Sequence, residues 1–211
     1  MKDIMQKWKV AFKDKNFLIS LLIGFFYLGI SLYINFVAGT YATEKVSNSV
    51  TDIILSNTRA YDVDLYFIYG PLVLFIFVAG LLLHNPKKLP FTLKSISLFT
   101  VIRSVFISLT HLGPFPTEAI TMSSNFISKF TFGGDLFFSG HTGLAFLMAL
   151  LFWKNKILRY IFLAYSVFIG VVVLLGHYHY SIDVLAAFFI TYSIYHISVL
   201  FFKKDQEKFL S

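Results

Sequence analysis

The sequence predicts an all-α fold: an integral membrane bundle of six transmembrane helices with both termini on the cytoplasmic side. Three observations carry that expectation. Of the 211 residues, 57% are hydrophobic and only 14% charged, with a mean hydropathy of +0.73, far too apolar for a soluble domain of this length. Six stretches approach or exceed the roughly 20 apolar residues that a helix needs to cross a hydrocarbon core. Lys and Arg gather at alternate ends of those stretches, as the positive-inside rule requires.

In chain order, residues 1–16 form a basic segment in which Ile4, Trp8 and Phe12 recur at helical spacing while Lys2, Lys7, Lys9, Lys13 and Lys15 occupy other faces. That pattern suggests a helix lying in the membrane interface; a disordered basic tail is the alternative. The first apolar stretch, 17–38, exceeds the roughly 7 to 15 residues of a signal-peptide core and is expected to remain as an anchor. A second, 65–83, carries Pro71 near its start, where proline is tolerated. The third, 92–111, is the least regular, since Lys94 and Arg103 fall inside it; Pro114 and Pro116 end it. The fourth to sixth follow at 136–153, 157–176 and 180–202, and a basic tail, 203–211, closes the chain. With no linker and no repeat, 17–202 reads as one membrane domain.

Lys2, Lys7, Lys9, Lys13, Lys15, Lys87, Lys88, Lys94, Lys154, Lys156, Arg159, Lys203, Lys204 and Lys208 make up 14 of the 18 basic residues, all on one side of the expected bundle. The other side holds Lys45, Arg59 and Lys129 beside Glu44, Asp52, Asp62, Asp64, Glu118 and Asp135. The connections 39–64 and 112–135 are therefore expected to be extracytoplasmic. The net charge of +7 is a topology signal in short clusters rather than a nucleic-acid footprint. Zero cysteines exclude disulfides, a thiolate nucleophile and cysteine metal sites. The short chain without soluble extensions suits a prokaryotic plasma membrane.

Two strings hold the polar groups that matter: Asp135-Leu-Phe-Phe-Ser139-Gly140-His141-Thr142 and His177-Tyr-His179-Tyr180-Ser-Ile-Asp183-Val184. Ionisable residues at membrane boundaries are tolerated mainly where they pair, line a cavity or do chemistry. The expected topology starts the fourth and sixth helices at the same outer face, so the strings converge there although 38 positions separate His141 from His179.

His179 and Asp183 are four apart and share a helix face. The carboxylate can fix the imidazole tautomer and leave the other ring nitrogen as nucleophile or base. Ser139 and Gly140 open a helix whose N-terminal amides favour a phosphate; Gly140 permits close approach, and His141, if protonated, can donate to a leaving oxygen. Each feature alone also has a structural explanation: an interfacial His, a satisfied ion pair, a serine cap. Arg103 lies about 12 Å below a membrane exit at His111, at about 1.5 Å per residue. It needs an anion, either a lipid phosphate or a carboxylate such as Asp135 or Asp183.

These residues resemble the type 2 phosphatidic acid phosphatase (PAP2) superfamily, and within it the sphingomyelin synthase-like branch. Gly134 to Thr142 is similar to that branch's G-D-x-x-F-S-G-H-T motif, and His179 to Val184 to its H-Y-[ST]-[IV]-D-V motif. The stretch from Arg103 to Pro114 is more loosely similar to an arginine-bearing third-helix motif, and the likeness covers roughly 95–200. The resemblance implies that His179 is the nucleophile on phosphorus, that Asp183 activates it and that His141 protonates the departing alcohol. It further implies that Arg103, Asp135, Ser139 and Gly140 shape the headgroup site, and that neither metal nor other cofactor is required.

The implied reaction moves a phosphocholine- or phosphoethanolamine-type headgroup from a phospholipid to an alcohol acceptor through a phosphohistidine, with hydrolysis by water as the alternative. The K-x6-R-P and S-R strings of ordinary lipid phosphate phosphatases are absent; Val171-Val172-Val173 occupies the region of the second. The branch's cysteine before Gly-Asp is Gly133 here. Fewer cations suit a singly charged diester better than a dianionic monoester. A non-catalytic lipid binder or carrier is the remaining class, disfavoured by the presence of His141, His179 and Asp183 together.

Overall fold

A computed structural model describes residues 2–116 and 134–210. Glu118, Lys129, Gly133 and most of the expected 112–135 connection lie outside the described residues. Among those described there are eight α-helices: α1 (Lys2–Lys13), α2 (Lys15–Glu44), α3 (Asp64–His84), α4 (Leu89–Leu109), α5 (Gly140–Leu151), α6 (Lys156–Leu175), α7 (Ser181–Phe201) and α8 (Lys203–Leu210). Five spans are long and apolar enough to cross a membrane, four of them α2, α3, α6 and α7, the fifth joining the Pro86–Lys88 turn to α4. They mark the chain as an integral membrane protein.

The fourth apolar stretch departs from expectation. Its helix is α5, only 12 residues, about 18 Å at 1.5 Å per residue, too short to span alone. Residues 136–139 stay outside it for a local reason: Arg103 of α4 holds the backbone carbonyls of Asp135 and Phe138 through Nη2 and Nε, at 2.7 and 2.9 Å. Carbonyls turned towards a guanidinium are not available to a helical ladder. Ser139 then starts the helix by accepting the Thr142 amide at 3.4 Å on its hydroxyl and the Gly143 amide at 3.0 Å on its carbonyl.

Despite its length α5 is central, with Thr142, Gly143, Ala145 and Leu147 through Leu151 all buried. Gly143 allows the close packing: a Cβ there would lie 2.8 Å from the Phe99 ring of α4 and 2.9 Å from Thr191 Oγ1 of α7. Because neighbours replace lipid around α5, it has no need to match bilayer thickness. The core runs from Val63 and Leu74 through Phe99, Phe138, Leu147, Phe162 and Ile169 to Ile194 and Phe209.

The terminal segments pack against the bundle. Trp8 Nε1 donates to the Leu83 carbonyl of α3 at 2.8 Å, and Ala11, Phe17, Leu21 and Leu93 form a small cluster. Asp14 caps α2 by accepting the Asn16 amide at 2.9 Å. Lys94, the cation that interrupted the third stretch, is buried but compensated: its ammonium is 2.6 Å from Asp205 of α8 and 2.8 Å from Ser20 Oγ of α2. Residues 203–210, read from sequence as a basic tail, thus supply a carboxylate that a buried lysine requires.

Candidate active site

The segments expected to converge do so at one end of the bundle. The α7 start supplies the first contact. Asp183 sits one turn into α7 and its Oδ2 accepts the Tyr180 amide at 2.9 Å, satisfying one of the amide groups that a helix N-terminus leaves unpaired. The same oxygen lies 3.5 Å from His179 Nδ1, with His179 and Asp183 side chains 7% and 0% exposed. That separation is an ion-pair contact, beyond the range of a good hydrogen bond. Among the described residues, His179 Nδ1 and Asp183 Oδ1 are both buried without a hydrogen-bond partner. The 3.5 Å contact of Nδ1 with Oδ2 can tighten when a positive charge develops on the ring, and hydrogen bonds at such sites are often this loose before substrate binds. With Nδ1 turned to Asp183, Nε2 is the ring nitrogen left for chemistry.

The second string is tied to the first through the backbone. The Ser139 amide donates to the Asp183 carbonyl at 3.2 Å, so a main-chain hydrogen bond ties the α5 start to the α7 start. His141, in the first turn of α5, is partly buried with its ring 4.5 Å from that of Phe67. It lies within electrostatic reach of both His179 and Arg103. Gly140 brings the helix start against the arginine: a Cβ there would be 3.0 Å from Arg103 Nε and 3.3 Å from Cζ. His141, His179, Asp183, Arg103, Asp135, Ser139 and Gly140 thus gather around the same two helix starts.

Arg103 has the carboxylate partner left open at the sequence level. Its Nη1 is 3.1 Å from Asp135 Oδ2, and the two carbonyls already described take two further N–H groups. A guanidinium has five, so this set engages three and leaves two. The buried cation is therefore held in place by protein groups and keeps donor capacity beyond them.

Sequence reasoning missed the groups that fix this end. Asp52, in the connection after α2, accepts the Ser181 amide at 2.7 Å and the Ser181 hydroxyl at 2.8 Å on Oδ2, while Oδ1 accepts Ile54 and Leu55 amides at 2.8 and 3.0 Å. Burial alone would raise its carboxyl pKa. The hydrogen bonds from Leu55, Ser181 and Ile54 outweigh that and hold it below the ordinary 3.8.

Tyr180 is buried, donates to the Gly113 carbonyl at 2.8 Å and accepts the Val50 amide at 3.2 Å. Gly113 is required where it stands, since a Cβ would meet the Ser47 carbonyl oxygen at 2.4 Å. Tyr178 donates to Asp64 at the start of α3, and its ring lies 4.3 Å from Phe67. His177, at φ 57°, is pushed to a lower pKa by burial, partly opposed by the charge of Asp52. Apart from the local turn that Asp52 makes with Ile54 and Leu55, these contacts join residues far apart in sequence and so have no periodic or motif signature.

The family model described as PAP2 superfamily C-terminal matches residues 133–200, a stretch that contains both histidine strings, α5, α6 and all but the last residue of α7. The match supports the PAP2 superfamily and, with it, phosphatase- or phosphotransferase-type chemistry on lipid phosphates. No curated protein and no solved structure matches the chain at a significant level.

Proposed function

We propose that this protein is a membrane phosphotransferase of the sphingomyelin synthase-like kind, moving a phosphate-linked headgroup from a phospholipid to an alcohol acceptor. The observation that carries the proposal is the main-chain tie between Ser139 and Asp183, which sets His141 and His179 around one site beside Arg103. In the first step His179 Nε2 attacks phosphorus, the phosphorus bond to the diacylglycerol oxygen breaks, and protonated His141 delivers its proton to that oxygen. In the second step an acceptor hydroxyl gives its proton to His141 and attacks the phosphohistidine. A new phosphodiester forms and His179 is released.

Asp183 stabilises the imidazolium character that His179 acquires during attack. The two N–H groups of Arg103 that no described residue engages and the positive end of α5 stabilise the equatorial oxygens of the transition state. Asp135 offsets part of the arginine's charge and holds the guanidinium still, which favours a singly charged diester over a dianionic monoester. By the lysine distribution the site faces the extracytoplasmic side.

Purified protein supplied with a labelled phospholipid should release diacylglycerol, and His179→Ala should abolish the release; retained activity would refute the assignment of the nucleophile. Repeating the assay with and without an added lipid alcohol separates the two acceptors. A new phosphodiester establishes transfer, whereas a water-soluble phosphorylated headgroup, or free phosphate from a monoester, establishes hydrolysis.

A further inference from the structure

At the end of the bundle away from the histidines, three segments meet around a cavity of about 270 Å³. They are the Pro86–Lys88 turn before α4, the corner between α5 and α6, and α8. Its floor is apolar: Phe152 and Phe209 are each 3% exposed, with ring centroids 5.4 Å apart. The half-buried Lys88 ammonium lies 5.1 Å from the Phe152 centroid and 4.8 Å from that of Phe209. Among the described residues no carboxylate forms an ion pair with it.

Lys154 brings a second, exposed cation to the lining. Asn155, also in the lining, caps α6 by accepting the Leu158 amide at 3.1 Å, so the positive end of a 20-residue helix abuts the same space.

A lysine seated against two aromatic rings gains from them only part of what it loses in hydration, and an anion brought to it completes the compensation. The apolar floor beside the ammonium adds a preference for an anion that carries hydrocarbon. Basic pockets between membrane helices meet such ligands in lipid headgroups. We propose that this cavity is a phosphate-binding site, with Lys88 and Lys154 as its cations and a net-anionic phospholipid as its occupant. It lies about 22 Å along α4 from Arg103, counting 15 residues at about 1.5 Å each, and does not depend on the catalytic assignment.

The full chain reconstituted in nanodiscs of phosphatidylcholine, with and without phosphatidylglycerol, tests this by lipid retention in native mass spectrometry and by thermal unfolding. Phosphatidylglycerol should be retained preferentially and should raise the unfolding temperature. Lys88→Gln and Lys154→Gln should each weaken retention about fivefold, and Lys88→Arg should keep it. Exposed Lys154 is the safeguard should Lys88→Gln unfold.

Loss of retention in Lys154→Gln, whose lysine lies at the end of the bundle away from the histidines, separates this site from the catalytic one. Stabilisation by inorganic phosphate in phosphatidylcholine discs, lost in Lys154→Gln, would support the site with a soluble phosphate as its source. Equal retention of both lipids without a phosphate response would overturn it, as would wild-type retention in both glutamine variants.

Discussion

Replacing Asp52 by Ala removes a carboxylate that joins the connection after α2 to the first residue of α7. Four hydrogen bonds go with it, from the Ile54, Leu55 and Ser181 amides and the Ser181 hydroxyl. Loss of a helix cap typically costs about 1 kcal/mol, and a buried amide left without a partner about 1 to 3 kcal/mol more. Ser181 is partly buried and Leu55 fully so, so the sum for Asp52→Ala is about 3 kcal/mol. For a chain of this length that corresponds to a fall in unfolding temperature of roughly 6 to 12 °C.

Asp52→Asn keeps one acceptor oxygen but turns an NH2 group towards amide donors, and should fall between alanine and the wild type. The pH dependence gives a second measurement. Hydrogen bonding lowers the folded-state pKa of Asp52 below 3.8, so its contribution is fully present above that unfolded-state value and is lost as pH falls through the folded one. Between neutral pH and about 3, the wild type should therefore lose more stability than Asp52→Asn. Unfolding temperatures within about 1 °C of wild type for Asp52→Ala, or identical pH profiles for Asp52→Asn and the wild type, would refute the reasoning.

Gly140→Ala places a methyl 3.0 Å from Arg103 Nε. Phospholipid turnover should drop by at least about tenfold as the guanidinium shifts, while thermal stability changes little. Lys94→Met leaves the Asp205 carboxylate 12% exposed and unpaired, a loss of about 3 to 5 kcal/mol; the double variant with Asp205→Leu should recover most of it, as read by thermal unfolding. Phe209→Ala empties a buried position between Phe91 and Phe152 and should cost about 3 to 5 kcal/mol in the same assay.

Much of the fold was legible in the chain because hydrophobic runs are local. The stretches at 17–38, 65–83, 157–176 and 180–202 became helices with ends shifted by a few residues. The exception is α2, which continues through Thr40 and Thr43. Their hydroxyls bond the carbonyls one turn back at 2.9 and 2.8 Å, so polar side chains there did not end the helix. The 136–153 stretch was misjudged in extent because hydropathy counts Leu136, Phe137 and Phe138 as span, whereas Arg103 holds the Asp135 and Phe138 carbonyls outside the helix. Lys94 looked like a fault in the third stretch because its partner, Asp205, lies 111 positions away.

The candidate site divides in the same way. By itself the sequence determined which chemical groups are present: two histidine strings, an i, i+4 carboxylate and a single intramembrane arginine, each identified by residue type and local spacing. Only the tertiary structure decided how they stand. It set Arg103 on Asp135 and two carbonyls, joined Ser139 to the Asp183 carbonyl, and brought Asp52 to cap α7. These outcomes were closed to the sequence because a buried charge takes whichever partner packing delivers, and helical periodicity carries no information about contacts between helices.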